Sequence, residues 1–294
     1  YIICAGISDM INKYVGVPAN VEAAGGSVAA TKLLGQGLVH MAIMLGSDVI
    51  DAYYGIREQA KPIKVRLILN GHQSVFHLIA LTKSGIKTVA DMNGRRYQFD
   101  KVGSANRPFG QTLVKCAKLD VKVIPWESSE ATCKDVAGGT IDIGQTSAIG
   151  SGALRELFLQ HDAMLIPIPE DVRDCMVKTY PGYVKAVIPK GYYQARGDVK
   201  YPPADLPGIG YDAWVACRAD LPDDLVYQIA KAIMDNPKEF SNYHAEAKYY
   251  SLEGATDNPL APFHPGVIKY YKEKGVWTDA LQKTQEKLLA EEPK

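Results

Sequence analysis

The chain has 294 residues, 47% of them hydrophobic, and its 33 Lys plus Arg balance 33 Asp plus Glu to zero formal net charge. That length exceeds what one typical hydrophobic core supports, so two domains or one large α/β domain is expected, and a balanced charge without like-charge runs argues against a nucleic-acid partner. No uninterrupted apolar stretch is long enough to span a bilayer, and the first residues carry no basic segment ahead of an apolar block, so the chain reads as soluble and mature.

Apolar residues recur at helical spacing from Ile2 to Val15, so the chain opens inside a helix. For an α/β domain this gives the expectation that a first strand and its glycine-rich loop precede Tyr1. Short apolar runs then alternate with helical patterns: a strand at Asn20–Ala24, a helix at Ser27–Leu34, a strand at His40–Met44 and a helix at Asp48–Tyr54. That alternation is a βαβ signature. Lys64–Leu69 and Phe76–Leu81 read as strands joined by a polar loop, Gly71–Ser74, which predicts neighbours in space and not crossover strands. Ser84–Gly94 reads as a turn, a short helix and a glycine stop.

Arg95–Phe99 begins a second alternation, with helices at 108–119, 129–137 and 151–160 and strands at 121–124, 141–143 and 164–167. Enrichment in Pro, Gly and Tyr between Ile188 and Gly210 predicts a long surface loop. The strand Tyr211–Cys217 and helices at 222–234 and 265–274 complete the reading. Two βα sets joined by two crossings describe two lobes, 1–98 with 216–294 and then 99–215, that open and close about Arg96–Phe99 and Tyr211–Cys217. Ligands in open α/β sheets collect outside the carboxyl ends of strands, where loops meet helix N-termini.

Five cysteines, Cys4, Cys116, Cys133, Cys175 and Cys217, stand at wide, irregular spacings with no C-x-x-C pair. Buried thiols are expected, above all for Cys116 and Cys217 in apolar patterns. A single disulfide among Cys4, Cys133 and Cys175 stays open.

A set of short motifs runs nearly end to end: Ala24-Gly-Gly-Ser-Val28, Leu33-Leu34, Gly46-Ser-Asp48, Ser84-Gly-Ile-Lys87, Asp91-Met-Asn-Gly-Arg95, Val102-Gly-Ser-Ala105 and Ser129-Glu130. It continues through Gly139-Thr-Ile-Asp142, Ile188-Pro-Lys-Gly191, Arg218-Ala-Asp-Leu-Pro222 and His264-Pro-Gly-Val267 to Tyr270-Tyr-Lys-Glu-Lys-Gly-Val276. In this order and spacing the chain resembles the solute receptors of TAXI-type TRAP transporters. The resemblance implies an α/β, two-lobed, periplasmic-binding-protein-like (type II) fold, each lobe a mixed sheet flanked by helices. It also implies a periplasmic receptor, a monomer, that passes a glutamate-like acid or an amino acid to integral-membrane permease subunits without a cofactor. Members of that family usually begin with a strand and a Gly-Gly-Thr-Tyr-Tyr loop, of which Tyr1 is the part to survive here. Gly103-Ser-Ala-Asn-Arg-Pro108 also departs from the family's Gly-Ser-Gly-Thr and following acid.

Candidate ligand contacts follow from residue chemistry. Gly25 and Gly26 permit close backbone approach and Ser27 caps the helix behind them, leaving amides and the helix dipole for a carboxylate; the alternative is an ordinary strand–helix turn. Gly103, Ser104 and Asn106 repeat the device, and the Arg107 guanidinium adds a two-pronged grip on an acid unless it is merely solvated. Ser47 and Asp48 are N-capping residues or, for Asp48, an acceptor for an ammonium group. Gln73 is a neutral hydrogen-bonder at a loop rim. Trp126, Ser129, Gln145 and Thr146 sit where strand ends deliver ligand loops, although a tryptophan can equally belong to a core.

His72 and His77 lack the spacing of a zinc pair, so no metal is expected. His264 reads as a structural turn. No G-x-S-x-G, H-E-x-x-H, Walker or G-x-G-x-x-G pattern occurs, and a hydrolase triad from Ser47, Asp48 and His72 has no local support, so a non-enzyme is expected. The alternative of a ligand-sensing module serving a membrane signalling partner stays open.

Overall fold

A computed structural model describes residues 2–57, 59–146 and 151–293. In chain order, α1 (Ile2–Met10) runs into a π turn (Ile11–Val15), followed by α2 (Ser27–Gly35), β1 (Met41–Leu45) and α3 (Gly46–Tyr54). Next come β2 (Val65–Val75), β3 (His77–Leu81), β4 (Arg96–Asp100), α4 (Asn106–Ala117), β5 (Lys122–Pro125), α5 (Ser129–Gly138) and β6 (Ile143–Thr146). They are followed by α6 (Gly152–Gln160), β7 (Ala163–Leu165), α7 (Glu170–Thr179), β8 (Tyr183–Ile188), β9 (Tyr193–Ala195) and β10 (Val199–Tyr201). The last elements are β11 (Leu206–Arg218), α8 (Asp223–Met234), α9 (Pro237–Phe240), α10 (Pro265–Glu273) and α11 (Asp279–Ala290). Among the described residues no helix is long and apolar enough to cross a membrane.

The chain divides into two compact units, 1–73 with 212–294, and 74–211. The sequence placed the first division near 98; it falls earlier because β3 pairs antiparallel with both β6 and β7 and so carries 74–98 into the second unit. For the same reason Arg96–Phe99, expected as a hinge, is β4, an inner strand parallel to β5 and β6. The two strands that cross the divisions are β2 and β11, which are neighbours in one sheet.

In the first unit the core gathers Trp214, Phe263, Tyr250, Tyr271 and Met44 around aliphatic side chains of α1, β2 and α8. Helix α8 shows why the sequence folds so: Pro222 fixes its entry, Asp223 and Asp224 favour the dipole in its first turn, and Val226, Ile229, Ala230 and Ile233 bury one helical face. In the second unit the five-stranded sheet has the order β5-β4-β6-β3-β7. Ile79, Val136, Leu154, Phe158 and Tyr193 are buried over it.

The expected strand at Asn20–Ala24 is absent: Glu22 and Ala23 are exposed and the segment has no ladder partner. The polar loop expected at Gly71–Ser74 is instead the end of β2, because side-chain polarity does not end a strand whose backbone is held beside β11. The long loop expected between Ile188 and Gly210 contains the β9–β10 hairpin and the first residues of β11, in register with β8 from Leu206↔Ile188 to Tyr211↔Tyr183. Cys116, expected as a free buried thiol, forms a disulfide with Cys175 (Cα–Cα 5.7 Å), while Cys4, Cys133 and Cys217 are free. The partner cysteine lies on α7, a helix the sequence reading did not mark, which packs beside α4.

Candidate functional site

The three parallel strands β5, β4 and β6 of the second unit end together, and their carboxyl ends lead towards the starts of α4 and α5. The amide of Gln145, fully buried near the end of β6, ties these pieces together. Its Nε2 donates to the carbonyl of Asn106 (2.9 Å) and to Asn106 Oδ1 (3.0 Å), and its Oε1 accepts from the Tyr97 hydroxyl. Burial holds that phenol well above its usual pKa, so it stays a donor. The Gln145 carbonyl accepts from Trp126 Nε1 (3.0 Å). One residue of β6 therefore fixes the start of α4 and the indole that follows β5.

Around this hub, Gly103 adopts φ +83°, and Ser104 Oγ accepts from the amide of Asn106 (3.1 Å). Phe109, in the first turn of α4, stacks on Phe76 with ring centroids 4.0 Å apart, which anchors the helix start in the core of this unit. Arg107 does not stand alone: its Nε lies 2.9 Å from Asp100 Oδ1 at the end of β4. Trp126 is half-buried, with Lys101 Nζ 5.2 Å from its ring centre and its backbone amide bonded to the Asp100 carbonyl (3.0 Å). Ser129 Oγ and Thr146 Oγ1 share a hydrogen bond of 2.8 Å. The residue that caps α5 is Ser128, whose Oγ accepts from the amide of Ala131 (3.1 Å).

The other candidates lie in the first unit. Gly25 has φ +76° with open space where a Cβ would be, and Gly26 is the N-cap of α2, without a side-chain bond. Ser27 is therefore inside the helix and does not cap it; its carbonyl accepts from Thr31 Oγ1 (2.9 Å). The first amides of α2 have no intrahelical acceptor. Ser47 and Asp48, expected at a cap, are buried in the first turn of α3, whose N-cap is Leu45. There the dipole favours the Asp48 carboxylate. Gln73 donates through Nε2 to Asp212 Oδ1 (3.2 Å). Tyr1 lies outside the described residues.

Sequence reasoning thus missed Asp100, Lys101, Tyr97, Ser128 and Asp212. Of these only Ser128 carried a local signal, a serine three residues before an amide in a helical pattern. Tyr97 becomes a partner of Gln145 only once β4 lies beside β6, and Asp100 meets Arg107 only through the turn from β4 into α4. His77 is fully buried; its Nδ1 donates to the Val75 carbonyl (2.7 Å) and its Nε2 accepts from the Tyr193 hydroxyl (2.8 Å), and burial pushes its pKa down to about 4. His72 is likewise pushed down to about 4 by burial, with Nδ1 2.9 Å from the Tyr250 hydroxyl and Nε2 3.3 Å from Glu246. No group of three or more His, Cys, Asp or Glu among the described residues is arranged to hold a metal ion.

A family model described as NMT1-like matches residues 1–275. Among solved structures, the chain is similar to MatC from Rhodopseudomonas palustris with bound malate, at 14% identity and a TM-score of 0.54 over 97% of this chain and 92% of that one. It is also similar to PhnD1 from Prochlorococcus marinus in complex with methylphosphonate, at 12% identity and a TM-score of 0.53 over 93% of this chain and 92% of that one. XAC2383 from Xanthomonas citri bound to ATP matches at 10% identity and a TM-score of 0.52, over 97% and 93% of the two chains. At such identities the likeness is one of fold, and the fold is the α/β type II class of periplasmic binding proteins.

Proposed function

This chain belongs to the NMT1-like family, and from that premise we propose that it is an extracytoplasmic solute receptor of the TAXI type. In this reading it captures a small carboxylate or amino-acid-like solute, with a glutamate-like acid favoured, and hands it unchanged to a TRAP-type membrane permease. The observation that carries the reading is the braced meeting of β4, β5 and β6 with the starts of α4 and α5, centred on Gln145. Such a place suits an anion, because helix starts present amides and the positive end of the dipole. Arg107 supplies a cation that can exchange Asp100 for a ligand carboxylate. The ligand contacts proposed are Gly103, Ser104, Arg107, Trp126, Ser129 and Thr146 from the second unit and Gly25, Gly26, Ser27, Ser47, Asp48 and Gln73 from the first. Asn106 and Gln145 act there as braces, since each uses its side chain on the other.

Two further observations support the reading. The malate and methylphosphonate carried by two structural neighbours are small anions. The Cys116–Cys175 disulfide suits an oxidising compartment outside the cytoplasm. The side chains gathered around Gln145 are amides, hydroxyls, an indole and an Arg–Asp pair, which suits binding and not turnover.

A thermal-shift screen with carboxylates and amino acids tests the proposal. A binder of the native state raises the melting temperature, by about 2.7 kcal/mol of added stability at a hundredfold excess over Kd, and mass spectrometry of the released compound should find it unaltered. A screen in which no compound raises the melting temperature, or one in which the bound compound is converted, defeats the reading.

A further inference from the structure

The five-stranded sheet of the second unit has two edges, and the fold treats them differently. At β7 the edge is closed: Ala163 and Leu165 are buried, and the Leu165 amide donates to the Tyr201 hydroxyl (2.7 Å). At β5 it is open: Lys122, Val123 and Pro125 are exposed, and among the described residues β5 pairs with β4 alone. The Lys122 amide donates to the Arg95 carbonyl (2.8 Å) and the Trp126 amide to the Asp100 carbonyl (3.0 Å), so both face β4. Alternation along the strand then turns the Val123 N–H and C=O outward. Pro125 takes the next outward position, where a missing N–H costs no ladder bond. Beside this edge, against α4, lies a groove of about 430 Å³ lined by Phe99, Val114 and Val123, with Asp100, Gln111 and Lys115 around them. Val123 is 48% exposed there. The Asp100 carboxylate is taken by Arg107 (2.9 Å), so Lys115 is the charge left to the groove. Lys118, at the end of α4, and Lys122 are also exposed, with Asp120 as the one carboxylate between them.

An open strand edge accepts an extended chain, whose alternate side chains then fall on one face and can enter a groove there. Lysines along the edge repel a second copy of the same edge and attract a segment of opposite charge. We propose that β5 and the groove beside α4 form a docking edge for an extended acidic segment of a partner protein, which adds as a further strand and seats an apolar side chain between Phe99, Val114 and Val123. Such docking goes beyond solute capture and stands whether or not a solute is bound.

A capped peptide of about seven residues alternating glutamate and leucine tests this on the full chain, against the same peptide with lysine in place of glutamate. Fluorescence anisotropy should show the glutamate peptide binding at least about tenfold more tightly, with an affinity that falls as salt is added. Hydrogen exchange followed by NMR should slow at the Val123 amide when that peptide is bound. Val123→Pro removes the outward donor and should weaken the peptide about fivefold or more. Lys115→Glu, on the exposed side of α4, should weaken it by a similar factor and serves if the proline variant does not fold. If neither peptide binds, if the two bind alike, if Val123 exchanges as before, or if Lys115→Glu keeps the full affinity, the docking edge is overturned. Self-association of the chain through β5 would overturn it in favour of a second copy.

Discussion

At Gly25-Gly26-Ser27 the chain enters α2 with no side chain bonded over the cap, whereas at Gly103–Arg107 it enters α4 through a serine acceptor, a buried glutamine brace and an ion pair. The two stretches look alike in sequence, a flexible glycine followed by small polar residues. What separates them is supplied from elsewhere: Asp100 from β4 and Gln145 from β6. A helix start as a motif thus fixes where amides emerge, while a near neighbour, Asp100, and a residue distant in sequence, Gln145, decide how rigidly they are presented.

The largest expected effect is confined to the braced side. Replacing Cys116 and Cys175 together by serine reopens a link across 59 positions and should cost about 4 kcal/mol in urea unfolding. Hydrogen exchange should then speed up in α4 and α7 and not in α2; equal acceleration in both would erase the distinction between the two sides.

Acid should come next. His77 in the second unit and His72 in the first have folded-state pKa values near 4, below their unfolded values near 6.5. The neutral ring is the form that folding favours, so this stability is complete above about pH 6.5 and is lost as pH falls towards 4, on the order of 3 kcal/mol for fully buried His77. Melting temperatures from pH 7.5 to 4.5 should fall, and fall less in His77→Gln. A flat profile would remove the histidines from the account.

Arg107→Ala should weaken an acidic ligand by about 1.5 to 3 kcal/mol, the worth of a hydrogen bond to a charged group, while exchanging an ion pair open to solvent costs stability under about 1 kcal/mol. Calorimetry showing unchanged affinity would leave Arg107 as no more than the partner of Asp100. Gln145→Leu leaves the Tyr97 hydroxyl and Asn106 unserved and should cost about 1 to 3 kcal/mol of stability, with weaker ligand binding that Gln145→Glu restores only in part. The smallest pair of effects sharpens the contrast most. Gly25→Ala and Gly103→Ala meet no atom within 4 Å at positive φ, so each should cost about 1 to 2 kcal/mol from backbone strain alone. Unequal costs would show that one turn is strained by more than its glycine.

Periodicity made most of the architecture legible. The alternation of short apolar runs and helical faces marked β1, β3 to β7 and the helices from α2 to α6, since burial on one face forces that spacing. It failed where burial did not follow the pattern. The polar end of β2 is held by its neighbouring strand, and the β9–β10 hairpin hides in a stretch rich in Pro, Gly and Tyr. Helix α7, with four charged residues among Glu170, Asp171, Arg173 and Asp174 at its start, offered little apolar stripe. For the site, glycine, serine and arginine types at strand ends were readable one by one. Their wiring was not, because Tyr97 and Asp212 matter only through partners far along the chain, Gln145 and Gln73.

Strand β11 serves two ladders in succession, pairing β8 through Tyr211 and β1 from Ala213 to Cys217. The stretch 74–211 is therefore contiguous and can close its own sheet as soon as it emerges during synthesis. Met41–Leu45, by contrast, must wait until residue 217 has appeared. Until then the earlier-made half carries an open strand edge, the kind of surface that holding chaperones cover. A truncation just after Tyr211 should consequently harm Met41–Leu45 more than the middle of the chain.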